Sequence, residues 1–367
     1  MRQWVGTALT AAVWVTTLGS IGAGQAVHDP GDRIVLVTID GARTQEIFGG
    51  LDADILKSTL KAPQTLESSP TYRRFWAESA EERRRKLMPF LWSLVTEHGS
   101  IAGDTGAGSA VRLGNRHWFS YPGYAEILLG EPHDAQITSN DAVQNRYTTV
   151  LETLRTRLSL SRNQVATFAS WALFNQIVEH TEGATFVNAG VEPLGLSAKD
   201  VPLLNHLQAE AATPWDVTRF DVFTFRMAMA HLTTARPRVL YIAFDETDDW
   251  AHDGRYDRTL EAYARTDGYL RELWTWLQSD SEYQGRTHLL ITTDHGRGRT
   301  STDWRNHGAK VAGAEDVWIA FASPRMPQRG PWRDAPTLST SQVAATLASW
   351  MGVDWNADHP KAGKPIR

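Results

Sequence analysis

Six side chains able to hold a cation, and one able to attack an ester, stand at distant points of this chain. Most of them come just after an apolar run. The run at 34–39 delivers Asp40, the run at 239–244 is followed by Asp248 and His252, and the run at 289–293 by Asp294 and His295. His307, before a glycine in a polar stretch, adds a third imidazole. Six such donors are enough for two tetrahedral, zinc-like sites if each keeps an open position. Asp248 and His252 are four apart, which puts both on one face if the segment turns helical. Asp294 and His295 are adjacent, so a sharp turn at a strand's end is needed for both to reach one cavity. The candidate nucleophile is Ser120, where the polar stretch at 115–119 runs into an apolar helical pattern. With Pro122 in the first turn, Ser120 is expected as the N-cap. The free N–H groups and positive dipole end of that helix would receive a phosphate beside it.

Residues this far apart meet only if the fold gathers them, and an open α/β sheet does so outside the carboxyl ends of its strands. Five runs, 34–39, 165–169, 239–244, 289–293 and 317–322, are apolar and β-branched without clean alternation, as strands buried on both faces are. Between them, helical periodicity marks 87–97, 148–157, 217–233, 260–277 and 341–351. The predicted fold is α/β, a mostly parallel central sheet flanked by helices on both faces. Two stretches fit the alternation poorly. Residues 51–86 are polar and charged, a solvated insertion with a helical end, and 191–214 hold three prolines and many small residues, a candidate cap. No internal repeat is visible.

Composition narrows the chemistry. The 367 residues, 42% hydrophobic and 22% charged, suit a globular α/β domain with insertions, read as one domain over 27–367. A net charge of −5 offers no basic surface for nucleic acid, so a small phosphate ester would have to be drawn by metal. There is no cysteine, which excludes disulfides, thiolate catalysis and zinc–thiolate sites. Residues 1–26 combine one arginine, an apolar run without acids and a closing small-residue site, the pattern of a cleaved signal peptide. The expectation is a periplasmic or secreted protein with no stable membrane anchor after cleavage.

Five segments in order carry a resemblance: Thr38-Ile39-Asp40-Gly41, Ser120-Tyr121-Pro122-Gly123-Tyr124, Asp248-Asp249-Trp250-Ala251-His252, Thr293-Asp294-His295-Gly296 and His307-Gly308. Together they resemble the alkaline phosphatase superfamily, within it the nucleotide pyrophosphatase/phosphodiesterase-like branch, over about 33–322. The resemblance implies one metal on Asp248, His252 and His307, and a second on Asp40, Asp294, His295 and the Ser120 hydroxyl. It implies divalent ions, zinc or else manganese, and gives Asn140 the role of hydrogen-bonding a transferring phosphoryl oxygen. Two departures stand out: serine replaces the threonine usual in the phosphodiesterases, and Gly123-Tyr124 follows Pro122 where Asn-His is common. The sulfatase motif Cys/Ser-x-Pro-x-Arg ends here in Tyr124, which argues against formylglycine.

Serine is nearly all protonated at neutral pH, and no histidine stands in triad order with Ser120, so coordination to metal is the expected activator. The expected activity is hydrolysis of phosphate mono- or diesters through a phosphoserine. The alternatives are phosphoryl transfer to another acceptor, a sulfatase-like activity, and a silent metal-stabilised binding protein. Arg43, Arg116 and Trp171 are further candidates for substrate contact, with salt bridges or core packing the competing roles.

Overall fold

The computed structural model describes residue 1 and residues 29–367, apart from 328 and 329. The expected leader at 1–26 lies, but for Met1, outside the described residues. No helix among the described residues is long and apolar enough to cross a membrane.

The first strand, β1 (Arg33–Ile39), is buried along its whole length. Val35, Val37 and Ile39 enter one core and Ile34 and Leu36 the other, the two-residue alternation of a strand covered on both faces. Seven more strands join it among the described residues: β2 (Gly99–Ala102), β3 (Val165–Ala169), β4 (Phe186–Ala189), β5 (Val239–Phe244), β6 (Thr287–Thr292), β7 (Ile319–Ala322) and β8 (Gly330–Pro331). Their spatial order is β8-β2-β7-β6-β1-β5-β3-β4, and β7 alone runs against the others. The expected α/β sheet with helices on both faces is what forms.

One core holds α1 (Pro89–Glu97), α4 (Asp221–Ala235) and α6 (Tyr256–Ser279). The opposite core holds α2 (Ser120–Leu129), α3 (Val150–Arg157) and α7 (Val343–Trp350). A short helix, α5 (Glu246–His252), leaves the end of β5 directly. The run read as one strand at 317–322 divides at Trp318. Asp316–Val317 pairs with Val111–Arg112 in a separate three-stranded sheet, while β7 pairs with β6 and β2. The buried Trp318 indole donates to the Ala42 carbonyl, so the break carries a side chain across the top of β1.

Residues 51–86 form the helices Ala53–Thr59, Pro70–Phe75 and much of Ala80–Leu87, with Ile55, Leu56 and Phe75 anchored in the core. Residues 191–214 contain the helix Val201–Glu210, which packs against α4.

Register positions the site. In β1, Ile39 lies opposite Phe244 of β5 and Thr38 opposite Thr292 of β6, so the three central strands end level. Asp40, Asp245 and Asp294 follow at that edge, where backbone leaves the ladder and side chains converge.

Candidate active site

The candidate nucleophile, Ser120, comes from α2, whose N-cap is the extended Phe119 rather than Ser120 itself. Ser120 is the first helical residue and makes no capping bond, because its hydroxyl faces away from the helix end toward His295, 3.4 Å from Oγ to Nε2. Trp118, two residues earlier, sits at φ 54°, a left-handed conformation costly for a bulky residue, so the turn into the helix is tight. Asn115 Oδ1 accepts the N–H of both His117 and Trp118, and buried Glu126 accepts from Gly114, Asn115, Thr340 and Ser341. These bonds fix the approach to Ser120. Gly123 lets the helix come close: a Cβ there would stand 2.2 Å from the Asp294 carbonyl oxygen.

His295 is fully buried, and its Nδ1 lies 2.9 Å from the Gly296 carbonyl. A carbonyl only accepts, so Nδ1 carries the proton and Nε2 presents a lone pair. Around that lone pair lie Ser120 Oγ at 3.4 Å, Asp40 Oδ1 at 3.4 Å, Asp294 Oδ2 at 3.4 Å and Asp248 Oδ1 at 3.7 Å. Donors at the corners of a tetrahedron about 2.0–2.1 Å from a zinc ion stand roughly 3.3–3.4 Å apart. Asp40 Oδ1 and Asp294 Oδ2 are buried without any hydrogen-bond partner. Carboxylate oxygens and an imidazole nitrogen converge there with no hydrogen-bond donor facing the two free oxygens, and a cation is what such a set fits. Burial pushes the Asp40 and Asp294 carboxyls well above the usual range, and neighbouring carboxylates add to the effect.

A second donor set lies nearer solvent. Asp248 and His252 share one face of α5, with Oδ2 3.1 Å from Nε2, and His252 Nε2 is 3.0 Å from His307 Nε2. Burial, then the neighbouring His295, hold His307 down to about 2, so it is neutral and free to ligate at any working pH. Burial alone would raise Asp248, but the Arg297 guanidinium and His252 bring its carboxyl well below the ordinary range. The outer set brings together the Asp248, His252 and His307 of the sequence-based division, while the inner one gathers Asp40, Asp248 and His295, with Asp294 in reach of His295 alone. Asp248 belongs to both, since Oδ1 also falls within reach of the inner set.

A cleft of about 210 Å³ opens over both sets, lined by Asp40, Ser120, Asn140, Asp248, His252 and His307, with Trp171, Thr218, Asp245 and Asp249 beyond. Asn140 Oδ1 accepts the Tyr121 N–H at 2.9 Å, so its NH₂ group remains available to the cleft. Of the other candidates, Trp171 reaches the cleft. Arg43 instead is buried in an ion pair with Glu46 and donates to Gly298, and exposed Arg116 pairs with Asp134.

Several contacts at the site had no counterpart in the sequence reading. Tyr124 donates to Asp40 Oδ2 at 2.7 Å, the Gly41 N–H to Asp294 Oδ1 at 3.1 Å, and Thr247 Oγ1 to the Asp40 carbonyl at 2.5 Å. Asp245 and Asp249 belong to the acid-rich run at 245–249, whose density was the available signal. Burial, then Asp245, drives Asp249 up to about 11.

No family model matches this sequence, and no curated protein matches it. Solved structures do. A mutant of the alkaline phosphatase PafA aligns with TM-score 0.57 at 10% identity, over 91% of this chain and 98% of that one. The lipoteichoic acid synthase LtaP of Listeria monocytogenes aligns with TM-score 0.55 at 9% identity, over 88% and 72%. The phosphonate monoester hydrolase SpPMH of Silicibacter pomeroyi aligns with TM-score 0.53 at 11% identity, over 88% and 73%. Strand-end acids, two imidazole-bearing loops and a helix-borne serine thus sit on a shared architecture: the chain has the fold of the alkaline phosphatase PafA.

Proposed function

We propose that this chain is a metal-dependent hydrolase of phosphate esters, working through a phosphoserine on Ser120, and exported if residues 1–26 act as a leader. The observation that carries the reading is the environment of Ser120. Its Oγ lies 3.4 Å from His295 Nε2 of the inner set, at the mouth of a cleft that also holds the outer set. Two divalent ions, zinc or manganese, would lower the pKa of the serine hydroxyl and neutralise charge developing on phosphoryl oxygens.

The chain's own groups do the rest. Asp40, Asp294 and His295 would hold one ion beside Ser120, and Asp248, His252 and His307 the other. Ser120 attacks phosphorus while the ester oxygen departs, and water later cleaves the phosphoserine, regenerating the hydroxyl. Asn140 donates to a phosphoryl oxygen as charge builds on it. Tyr124 stands where a sulfatase motif carries arginine, and its hydroxyl is spent on Asp40, which favours an unmodified serine and a phosphate over a sulfate ester.

The test compares nitrophenyl phosphate, bis(nitrophenyl) phosphate and nitrophenyl sulfate, after chelation and again with Zn²⁺ or Mn²⁺ restored. Metal-restored cleavage of a phosphate ester is expected, and Ser120→Ala should lose at least about 10³-fold in kcat while keeping its bound metal. Turnover of the sulfate alone, or full activity in Ser120→Ala, would overturn the reading.

A further inference from the structure

Each of the three site carboxylates offers one oxygen to the donor sets and has the other tied to a hydrogen-bond donor. For Asp40 the tie is Tyr124 OH, and for Asp294 it is the Gly41 amide, both neutral. For Asp248 it is a buried cation: Arg297, 1% exposed, donates from Nη2 to Asp248 Oδ1 and, at 3.2 Å, to the Asp248 carbonyl. Nη1 donates to the Arg305 carbonyl, in the loop leading to His307. One guanidinium therefore links α5, which carries Asp248 and His252, to the loop that carries His307. Gly41, at φ 57°, leaves room for the pair, since a Cβ there would stand 2.4 Å from Asp248 Oδ1 and 2.8 Å from Arg297 Nε.

The link settles an ambiguity in the site. Asp248 Oδ1 is 3.7 Å from His295 Nε2 and Oδ2 is 3.1 Å from His252 Nε2, so the carboxylate stands between both sets. We propose that Arg297 is a positioning residue that occupies Asp248 Oδ1 and so commits Asp248, through Oδ2, to the outer site with His252 and His307. This rests on the two-ion reading above. A fixed carboxylate and a tethered His307 make the outer site's geometry, whereas the inner site has its own anchors and does not depend on Arg297. Partners of this kind are worth about 10–100-fold in metal affinity.

The experiment is calorimetric titration of the chelated full-length protein with Zn²⁺, without substrate, for wild type, Arg297→Gln and Arg297→Lys. Wild type should bind two equivalents. Arg297→Gln should keep one unchanged and weaken the other by about 10–100-fold. Arg297→Lys should recover part of that loss, because an ammonium supplies the charge but not the fork that reaches Asp248 and Arg305 together. Equal weakening of both equivalents in both variants, with a lowered Tm of the metal-free protein, would make Arg297 a general structural residue and overturn the proposal. So would two unchanged equivalents. Fewer than two equivalents in wild type would instead overturn the two-ion reading itself.

Discussion

At the scale of single residues, Asn140 uses one end of its amide for structure and leaves the other facing the cleft. Oδ1 is committed to the Tyr121 N–H, which leaves the NH₂ as a neutral donor at the cleft for an oxygen on phosphorus. Asn140→Ala should therefore lower kcat by about 10²–10³-fold with a smaller change in KM, read from steady-state kinetics on nitrophenyl phosphate. Asn140→Asp should be worse than alanine, since it places a carboxylate against an anionic substrate. The candidate donors and Ser120 stood out in the sequence, because acids and imidazoles near the ends of apolar runs are conspicuous, whereas Asn140 entered only through the family resemblance. Their supports did not stand out. Tyr124 was visible only as a motif residue with no partner assigned, and Arg297 meets an acid 49 positions earlier in the chain, a pairing that no local pattern records. Ser120 as an N-cap was a misreading, since a serine before an apolar helix has the same sequence whether its hydroxyl turns inward to cap or outward to react.

At the scale of elements, the junction of α1 with α6 titrates. Pro89 begins α1 and Met88 offers no capping side chain, so the Phe90 and Leu91 amides donate to Asp267 of α6, at 2.9 and 2.7 Å. Burial lifts that carboxyl from 3.8 to about 6, despite the amides. A raised folded-state value means that the group's contribution is full below pH 4 and is lost as pH rises through 6. Asp267→Asn removes this dependence, so relative to wild type it should gain stability between pH 4 and 7, by up to roughly 3 kcal/mol. Denaturant melts at both pH values check the sign. The long elements were read well: β1, β3 and β5 fall within a residue of expectation, since strands covered on both faces show unbroken apolar runs. Strand direction has no such signature, which is why the reversal of β7 was invisible, and the four-residue helix Phe174–Ile177 is too short to show a period.

Across the whole molecule, the inner acids act as a brake on folding until a cation arrives. Asp40 Oδ1 and Asp294 Oδ2 are buried, unpartnered and each 3.4 Å from the same imidazole nitrogen. Adding Zn²⁺ to the chelated protein should raise Tm, by the equivalent of about 2.7 kcal/mol when free metal is 100 times Kd. Asp294→Asn should raise the Tm of the chelated protein yet blunt the response to Zn²⁺, as followed by differential scanning calorimetry. Sheet order adds a constraint in time. The middle strand β1 is made first, but its neighbours β5 and β6 come roughly 200 and 250 residues later. At about 5–20 residues per second, β1 leaves the ribosome some tens of seconds before either partner exists. An apolar ribbon waiting that long is exposed to aggregation, and a premature stop anywhere before 287 yields a product that lacks one of the two strands flanking β1.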